Sequence, residues 1–165
     1  MESGKIDPRL REFNRLLLES DGIYREAARR LGVSSCMLWI LYTMRMDGEP
    51  ISQTQLCEIL YEPKTTVNSC LKQMEAQGLI VMDVGCDRRT RHISMTGKGR
   101  ALAEETADRL LCAEEAALLD MPPELRAGFL LGFRKYNQNL LKQLDPQNLM
   151  AVDRKKSNSE EEKPR

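Results

Sequence analysis

The sequence predicts a mainly α-helical fold with one small β-hairpin, and two features of its apolar pattern support this. Apolar residues recur at helical spacing along most of the chain. Only residues 80–95 alternate apolar and polar positions as strands do, on either side of a polar, turn-rich stretch. At 165 residues the chain has the size of one domain that buries a substantial core.

The first helix is predicted from Pro8 to about Leu31. Asp7 is a favourable N-cap, and proline suits the first helical position because the N–H that it lacks would have no partner there. Gly32 follows as a typical C-terminal capping residue. So long a helix in a small domain suits packing against another subunit, although packing within one subunit would also explain it.

Three shorter helices are predicted next. The first begins at Ser34 or Ser35 and ends at a turn that contains glycine and proline, which break helices. Ser52 and Gln55 form a capping box that opens the second. The third spans about residues 64–77, and together with the second it forms a helix–turn–helix.

The predicted hairpin precedes two long helices. Its strands lie around residues 80–84 and 92–95 with a basic tip between them, and no other segment resembles a strand. Thr96 caps a helix predicted from about residue 97 to residue 119, and Pro123 suits the start of the last helix.

The composition limits the function of the chain. The formal net charge is zero, with 25 basic and 25 acidic side chains, so a surface for nucleic acid has to be a local patch. No apolar run approaches the roughly 18 residues that cross a bilayer, and the first residues lack a signal-peptide pattern. We therefore expect a cytoplasmic protein without membrane partners. Five widely spaced cysteines without a Cys-x-x-Cys motif argue against a disulfide framework and a zinc site.

Basic residues are concentrated near the helix–turn–helix and the hairpin. Between residues 60 and 100 there are seven lysines and arginines against four acidic residues. Neutralisation of phosphates supplies most non-specific affinity for DNA, so this location matters more than the net charge. The count alone does not distinguish a DNA-binding surface from an ordinary solvated one. The spacing of residues within the hairpin does.

The hairpin resembles the wing motif of the MarR family of bacterial regulators. In that motif Asp-x-Arg is followed, after three residues, by apolar-x-apolar-Thr and then, after two more, by Gly. The matching positions here are Asp87, Arg89, Ile93, Met95, Thr96 and Gly99. Residues 63–69 and 75–80 are similar to the recognition helix of that family and the turn after it. The resemblance covers residues 7–144 and implies a winged helix-turn-helix combined with long dimerisation helices.

With this resemblance the chain divides into four segments. These are an N-terminal dimerisation helix at residues 1–33, a winged helix-turn-helix DNA-binding lobe at 34–100, C-terminal dimerisation helices at 101–146, and a disordered, charged tail at 147–165. The tail is assigned from its collapse in apolar content.

The resemblance implies roles in DNA binding for individual residues. Arg89 would enter the minor groove, with Asp87 holding it within the hairpin and Arg88 and Arg91 contacting phosphates. Many family members have an arginine where Ser69 stands, so guanine contact from this helix is in doubt and more of the affinity falls to the wing. The other candidates are Asn68 for adenine, Lys64, Thr65, Thr66 and Lys72 on the same helix, and Thr54 and Gln55 for phosphates.

The resemblance also implies a homodimer that binds a palindromic operator in double-stranded DNA, as a repressor relieved by a small molecule. The first and last helices, with part of the fifth, would interlock and place two recognition helices about 34 Å apart, one turn of DNA. The candidate interface residues, which packing within one subunit would also explain, are Phe13, Leu17, Phe129, Phe133, Tyr136 and Leu140.

The resemblance also implies a site for a ligand. Family members commonly bind small aromatic or anionic ligands in a crevice between the dimerisation helices and the DNA-binding lobe. Tyr24, Trp39 and Tyr42 lie on segments that would border this crevice, although aromatic residues at helical spacing are more often core than pocket. No cofactor or metal is expected.

Two other functions stay open, and an enzyme is not expected. A redox-responsive regulator would use Cys36, whose position near a helix N-terminus favours a lowered pKa, or Cys86 in the wing. No cysteine occurs before Cys36, so the peroxide-sensing cysteine of some family members has no counterpart. A winged-helix module that binds proteins is the second alternative. His92 is the only histidine and has no triad companions, and nucleotide-binding and zinc-protease motifs are absent.

Overall fold

The computed structural model describes residues 6–84 and 91–145 and confirms the mainly helical fold with its antiparallel hairpin. The predictions for Cys86, Asp87, Arg88, Arg89 and the C-terminal tail lie outside the described residues. The described elements are α1 Pro8–Arg30, α2 Ser35–Met46, β1 Ile51–Ser52, α3 Gln53–Leu60, α4 Lys64–Ala76, β2 Ile80–Val84, β3 Arg91–Met95, α5 Gly97–Glu105, α6 Ala107–Leu119 and α7 Pro123–Gln143.

The starts of α1, α2 and α3 follow local capping, as predicted. The Asp7 carboxylate accepts a hydrogen bond from the Arg9 amide at 2.8 Å. At the start of α2 the N-cap is Ser34. The capping box of α3 is complete, since the Gln55 amide donates to the Ser52 hydroxyl at 3.2 Å and the Ser52 amide donates to the Gln55 side chain at 2.9 Å. Each cap satisfies amides that have no partner within the helix.

The sheet has three antiparallel strands in the order β1–β3–β2. The prediction that no segment outside the hairpin forms a strand was therefore wrong. The additional strand, β1, has only two residues, and Ile51 lies opposite Ile93 while Ser52 lies opposite His92. So short a strand has no alternating pattern of its own. It forms because the central strand β3 offers a second edge for pairing.

The single helix predicted from residue 97 to residue 119 is two helices, α5 and α6, with a break at Thr106. That residue has φ −123° and ψ −76°, outside the helical region. Its hydroxyl donates a hydrogen bond to the Leu102 carbonyl at 2.6 Å, and the residue is 1% exposed. Side chains of this type compete with the helical backbone for hydrogen bonds, which explains a break in a sequence of good helix formers.

The main core joins the helix–turn–helix to the sheet and to α5. Leu41, Leu56, Val67, Leu71 and Ile93 are each at most 1% exposed and belong to one contiguous cluster. Full burial of side chains of this size contributes about 1.5–3 kcal/mol each. The recognition helix and the base of the wing are thus fixed to the same apolar core.

The described residues fall into two compact units with a boundary between Glu114 and Glu115. The first unit contains the core, the helix–turn–helix and the sheet. The second contains α7, a helix of 21 residues none of which is buried. Among the helices described, none has both the length and the apolar character that crossing a membrane requires.

Candidate nucleic-acid interface

The recognition helix α4 separates its residues into a buried and an exposed face. Val67, Cys70, Leu71 and Met74 are buried, and these side chains fix the orientation of the helix on the core. Five of the predicted DNA contacts are exposed on the opposite face: Lys64, Thr65, Thr66, Ser69 and Lys72. Asn68 is half-buried, so this candidate for adenine contact is less accessible than its neighbours.

In the helix before it, α3, one of the two predicted phosphate contacts takes part in the capping box. Thr54 is exposed and accessible to a phosphate. The side-chain carbonyl of Gln55 accepts hydrogen bonds from the amide and the hydroxyl of Ser52, at 2.9 and 2.8 Å. Only its Nε2 group is then available to a phosphate, because the capping box uses the acceptor.

The turn between α3 and α4 contains a residue that the sequence analysis did not single out. Tyr61 has φ 52° and ψ 30°, in the left-handed region, and its side chain is 94% exposed. A sequence signal was present, since this turn of a helix–turn–helix often contains glycine and here has an aromatic residue instead. It lies in the turn three residues before Lys64, the first residue of α4.

The base of the wing is held by the pair Thr96 and Gly99. The Thr96 hydroxyl donates to the Gly78 carbonyl at 2.7 Å and accepts from the Gly99 amide at 3.0 Å, while the Thr96 amide donates to the Leu79 carbonyl at 2.9 Å. A Cβ atom on Gly99 would lie 1.9 Å from the Leu79 oxygen. These two positions of the wing motif thus have a structural purpose, to hold the start of α5 against the turn after α4.

Not all of the basic residues near the wing are free to meet DNA. Lys98 donates through Nζ to the Gln77 carbonyl at 2.9 Å. Arg100 is ion-paired with Glu49, whose carboxylate also accepts from the Met95 amide. Arg91, by contrast, is exposed on β3 opposite Val84, at the last described pair of the wing. The charge of Arg100 is therefore offset by Glu49, while Lys98 keeps its charge but has its ammonium group held at the Gln77 carbonyl.

The three predicted pocket aromatics lie together. The ring centroids of Tyr24 and Trp39 are 5.1 Å apart, as are those of Trp39 and Tyr42. Both tyrosine hydroxyls donate to the Glu114 carboxylate at 2.6 Å. Burial and this hydrogen bond raise the pKa of Tyr24 to about 12, and the pKa of Tyr42 is raised for the same reasons. Sequence reasoning missed Glu114, because its partners are 72 and 90 residues away.

The pKa of Cys36 is lowered, but for a different reason from its expected position near a helix N-terminus. The main cause is a hydrogen bond from the Cys70 thiol, which outweighs the opposing effect of burial. The pKa of Cys70 is raised in turn by that bond and by burial. Cys36 is half-buried and Cys70 is buried in α4, so a pair of adjacent thiols lies beneath the recognition helix.

The predicted interface residues are mostly exposed within their own units. In the first unit Leu17 is 41% exposed and Phe13 is half-buried. In the second unit Phe129 is 53% exposed, and its ring stacks on that of Phe133 with centroids 6.2 Å apart. Phe133 is 40% and Leu140 39% exposed, and Tyr136 is half-buried.

Comparisons with known proteins agree with this architecture. Residues 34–99 match the family model described as a winged helix DNA-binding domain. The uncharacterized HTH-type transcriptional regulator YwoH of Bacillus subtilis (strain 168) is 27% identical over 113 residues, which are 68% of this chain and 82% of that protein.

Solved structures show the same fold. The MarR family regulator NMB1585 of Neisseria meningitidis is 20% identical, with a TM-score of 0.70 over 85% of this chain and 98% of that one. BpsR of Bordetella bronchiseptica, whose DNA binding is regulated by 6-hydroxynicotinic acid, is 18% identical, with a TM-score of 0.61 over 76% of this chain and 98% of that one. The predicted resemblance is confirmed. Residues 34–99 thus match a winged helix DNA-binding domain, and the chain has the fold of solved MarR family regulators.

Proposed function

We propose that this chain is a repressor that binds a palindromic operator as a homodimer and is released by a small aromatic ligand. The observation that carries the proposal is the exposed polar face of α4, which presents Lys64 and Lys72. The opposite, buried face of this helix packs in the same core as the base of the wing. A helix of this kind fits the major groove, and its lysines neutralise phosphates. Few side chains on it are suited to strong base contact, so phosphates and the wing account for much of the affinity.

The operator is found by binding selection on random duplex DNA. We expect an enriched palindrome whose half-sites are about 10 base pairs apart, centre to centre, because two symmetry-related recognition helices contact one face of the duplex. Log affinity should fall linearly with log salt. A reporter gene placed behind the site should be expressed more strongly when the protein is absent. An affinity independent of salt would instead favour a module that binds proteins.

Arg89→Ala is expected to weaken binding to the selected duplex at least about tenfold, since a groove contact is worth roughly 1–3 kcal/mol. The thermal unfolding midpoint should not change, because Arg89 is not among the described residues of the apolar core. Fluorescence anisotropy measures the affinity. Arg109→Ala, which removes an exposed arginine of α6, is the matched control and should bind like the wild type. Equal affinities for the two variants would remove the wing arginine from the mechanism.

The homodimer is proposed from the apolar residues that α1 and α7 leave exposed. An isolated helix is marginally stable in water, so a helix of 21 residues without a buried side chain needs a partner surface. A second copy of the chain supplies it, as the MarR-type fold suggests. Light scattering should give twice 18.9 kDa, and Phe129→Glu should lower that mass. A monomer that binds the palindrome with full affinity would contradict this part of the proposal.

The ligand is proposed to contact the cluster of Tyr24, Trp39 and Tyr42. Stacking on these rings suits an aromatic compound, and BpsR offers a precedent because an aromatic acid regulates it. The Glu114 carboxylate disfavours a negative charge at its own end of the cluster. Trp39 is the only tryptophan, so its fluorescence reports binding directly. Titration with substituted phenols and with hydroxylated benzoic and nicotinic acids should quench Trp39 and release DNA together. Release without any change at Trp39 would place the ligand elsewhere.

A further inference from the structure

Tyr61 combines two features that are unfavourable for a tyrosine. Its side chain is 94% exposed, although a ring of this size is normally at least partly covered. Its backbone is left-handed, with φ 52°, a conformation in which a bulky side chain is strained. The other described residues with positive φ are Gly32, Gly48 and Gly78. Glycine at position 61 would fit the turn better, so packing does not account for the tyrosine.

The location of Tyr61 points to DNA. It ends α3 and stands three residues before Lys64, the first residue of α4. The exposed side chains of Lys64, Thr65 and Thr66 occupy the next turn of the chain, and α4 begins at Pro63 without a side-chain cap. In a docked helix–turn–helix the first residues of the recognition helix enter the major groove, so the segment before them faces the sugar–phosphate backbone.

We infer that Tyr61 is a DNA-contacting residue whose phenol hydroxyl donates a hydrogen bond to a phosphate oxygen at the edge of the groove that α4 enters. This inference rests on the proposed DNA binding. A strained residue that persists without packing is a reason to look for function at that position. The ring gives the hydroxyl a long reach with few rotatable bonds, so little entropy is lost on contact.

A protein partner fits the surroundings less well than a phosphate. The only large apolar side chain exposed nearby in α3 is Ile59, at 44%, while Glu58 and Glu62 on the same segment are exposed and charged. One ring and one isoleucine do not make a patch of the size that protein interfaces use. A single hydrogen-bond donor beside a lysine is what a phosphate contact requires.

The test compares the wild-type protein with Tyr61→Phe and Tyr61→Gly on two duplexes of 30 base pairs. One contains the selected palindrome and the other has a mixed sequence. A contact to a phosphate can form on both, because it does not depend on the bases. Both variants should lose about tenfold in affinity on both duplexes, because a hydrogen bond to a charged group is lost. Tyr61→Gly should unfold at the same or a higher temperature, because the strain is relieved.

The salt dependence separates this contact from a change of structure or charge. Tyrosine is neutral, so the slope of log affinity against log salt should be the same for both variants as for the wild type. Lys64→Ala is the matched control, and its slope should be smaller by about one. Wild-type affinity for Tyr61→Phe would overturn the inference while leaving the proposed function intact. Failure of the wild type to bind either duplex would overturn both.

Discussion

Gly99→Ala is expected to destabilise the protein by about 3 kcal/mol or more, toward the upper end of the effect of overpacking. A Cβ atom at this position would lie 1.9 Å from the Leu79 carbonyl oxygen and 2.9 Å from its carbon. Both are backbone atoms, so no side chain can move aside. The strand β2 begins at the next residue, Ile80, and relief of the clash would displace either that strand or the first turn of α5. Chemical denaturation measures the loss directly.

The matched control is Gly97→Ala, in the same turn of α5. A Cβ atom on Gly97 has no neighbour within 4 Å, and alanine is the better helix former. This variant should be as stable as the wild type or slightly more stable. Equal losses at the two positions would mean that helix propensity, and not contact with Leu79, determines the effect. Gly99→Ala should lose both stability and DNA binding, whereas Gly97→Ala should keep both.

Glu114→Ala is expected to lower the free energy of unfolding by about 2–4 kcal/mol. The carboxylate accepts hydrogen bonds from Tyr24 and Tyr42, both at 2.6 Å. Hydrogen bonds to a charged group contribute about 1.5–3 kcal/mol each, and partial exposure of the tyrosines reduces the sum. Denaturant unfolding of the variant measures the change. Glu115→Ala, at the exposed neighbouring position, should cost almost nothing, and a comparable loss there would contradict the assignment.

The same contact predicts how stability depends on high pH. The pKa of Tyr24 is raised from 10.0 to about 12 in the folded protein, so the folded state retains a proton that the unfolded chain releases first. The stabilisation is therefore complete below pH 10 and is lost as the pH rises from 10 to 12. Tyr42 acts in the same direction. Tyr24→Phe should flatten the decline, which unfolding at pH 9 and pH 11 would measure.

The features that the sequence predicted well are those determined by near neighbours. Asp7 and Ser52 cap helices through residues two and three positions away. Val67, Leu71 and Met74 recur at helical spacing, so they lie on one face of α4 and are buried together. The exposed face of α4 is the opposite one. Such features are visible in the order of residues because the physical interaction lies within one turn of helix.

The features that were missed depend on residues far apart in the chain. The strand β1 exists because Ile51 pairs with Ile93, and neither residue shows this alone. Glu114 had the appearance of any charged residue on a long helix until the fold placed two tyrosines around it. Tyr61 belongs to no sequence pattern, and its left-handed backbone appears only in the turn between α3 and α4. Tertiary structure, not propensity, determines each of these positions.

Ser52 serves both as a residue of β1 and as the N-cap of α3. The first helix of the helix–turn–helix is therefore anchored to β3, the strand that continues from the wing into α5. A tilt of the helix pair relative to the base of the wing would therefore have to break the pairing of Ile51 with Ile93 and of Ser52 with His92. In the proposed dimer, we therefore expect an effector to change the distance between the two DNA-binding lobes and not the structure within each lobe. Induction should then leave amide exchange within each lobe unchanged while the distance between the two copies of α4 changes.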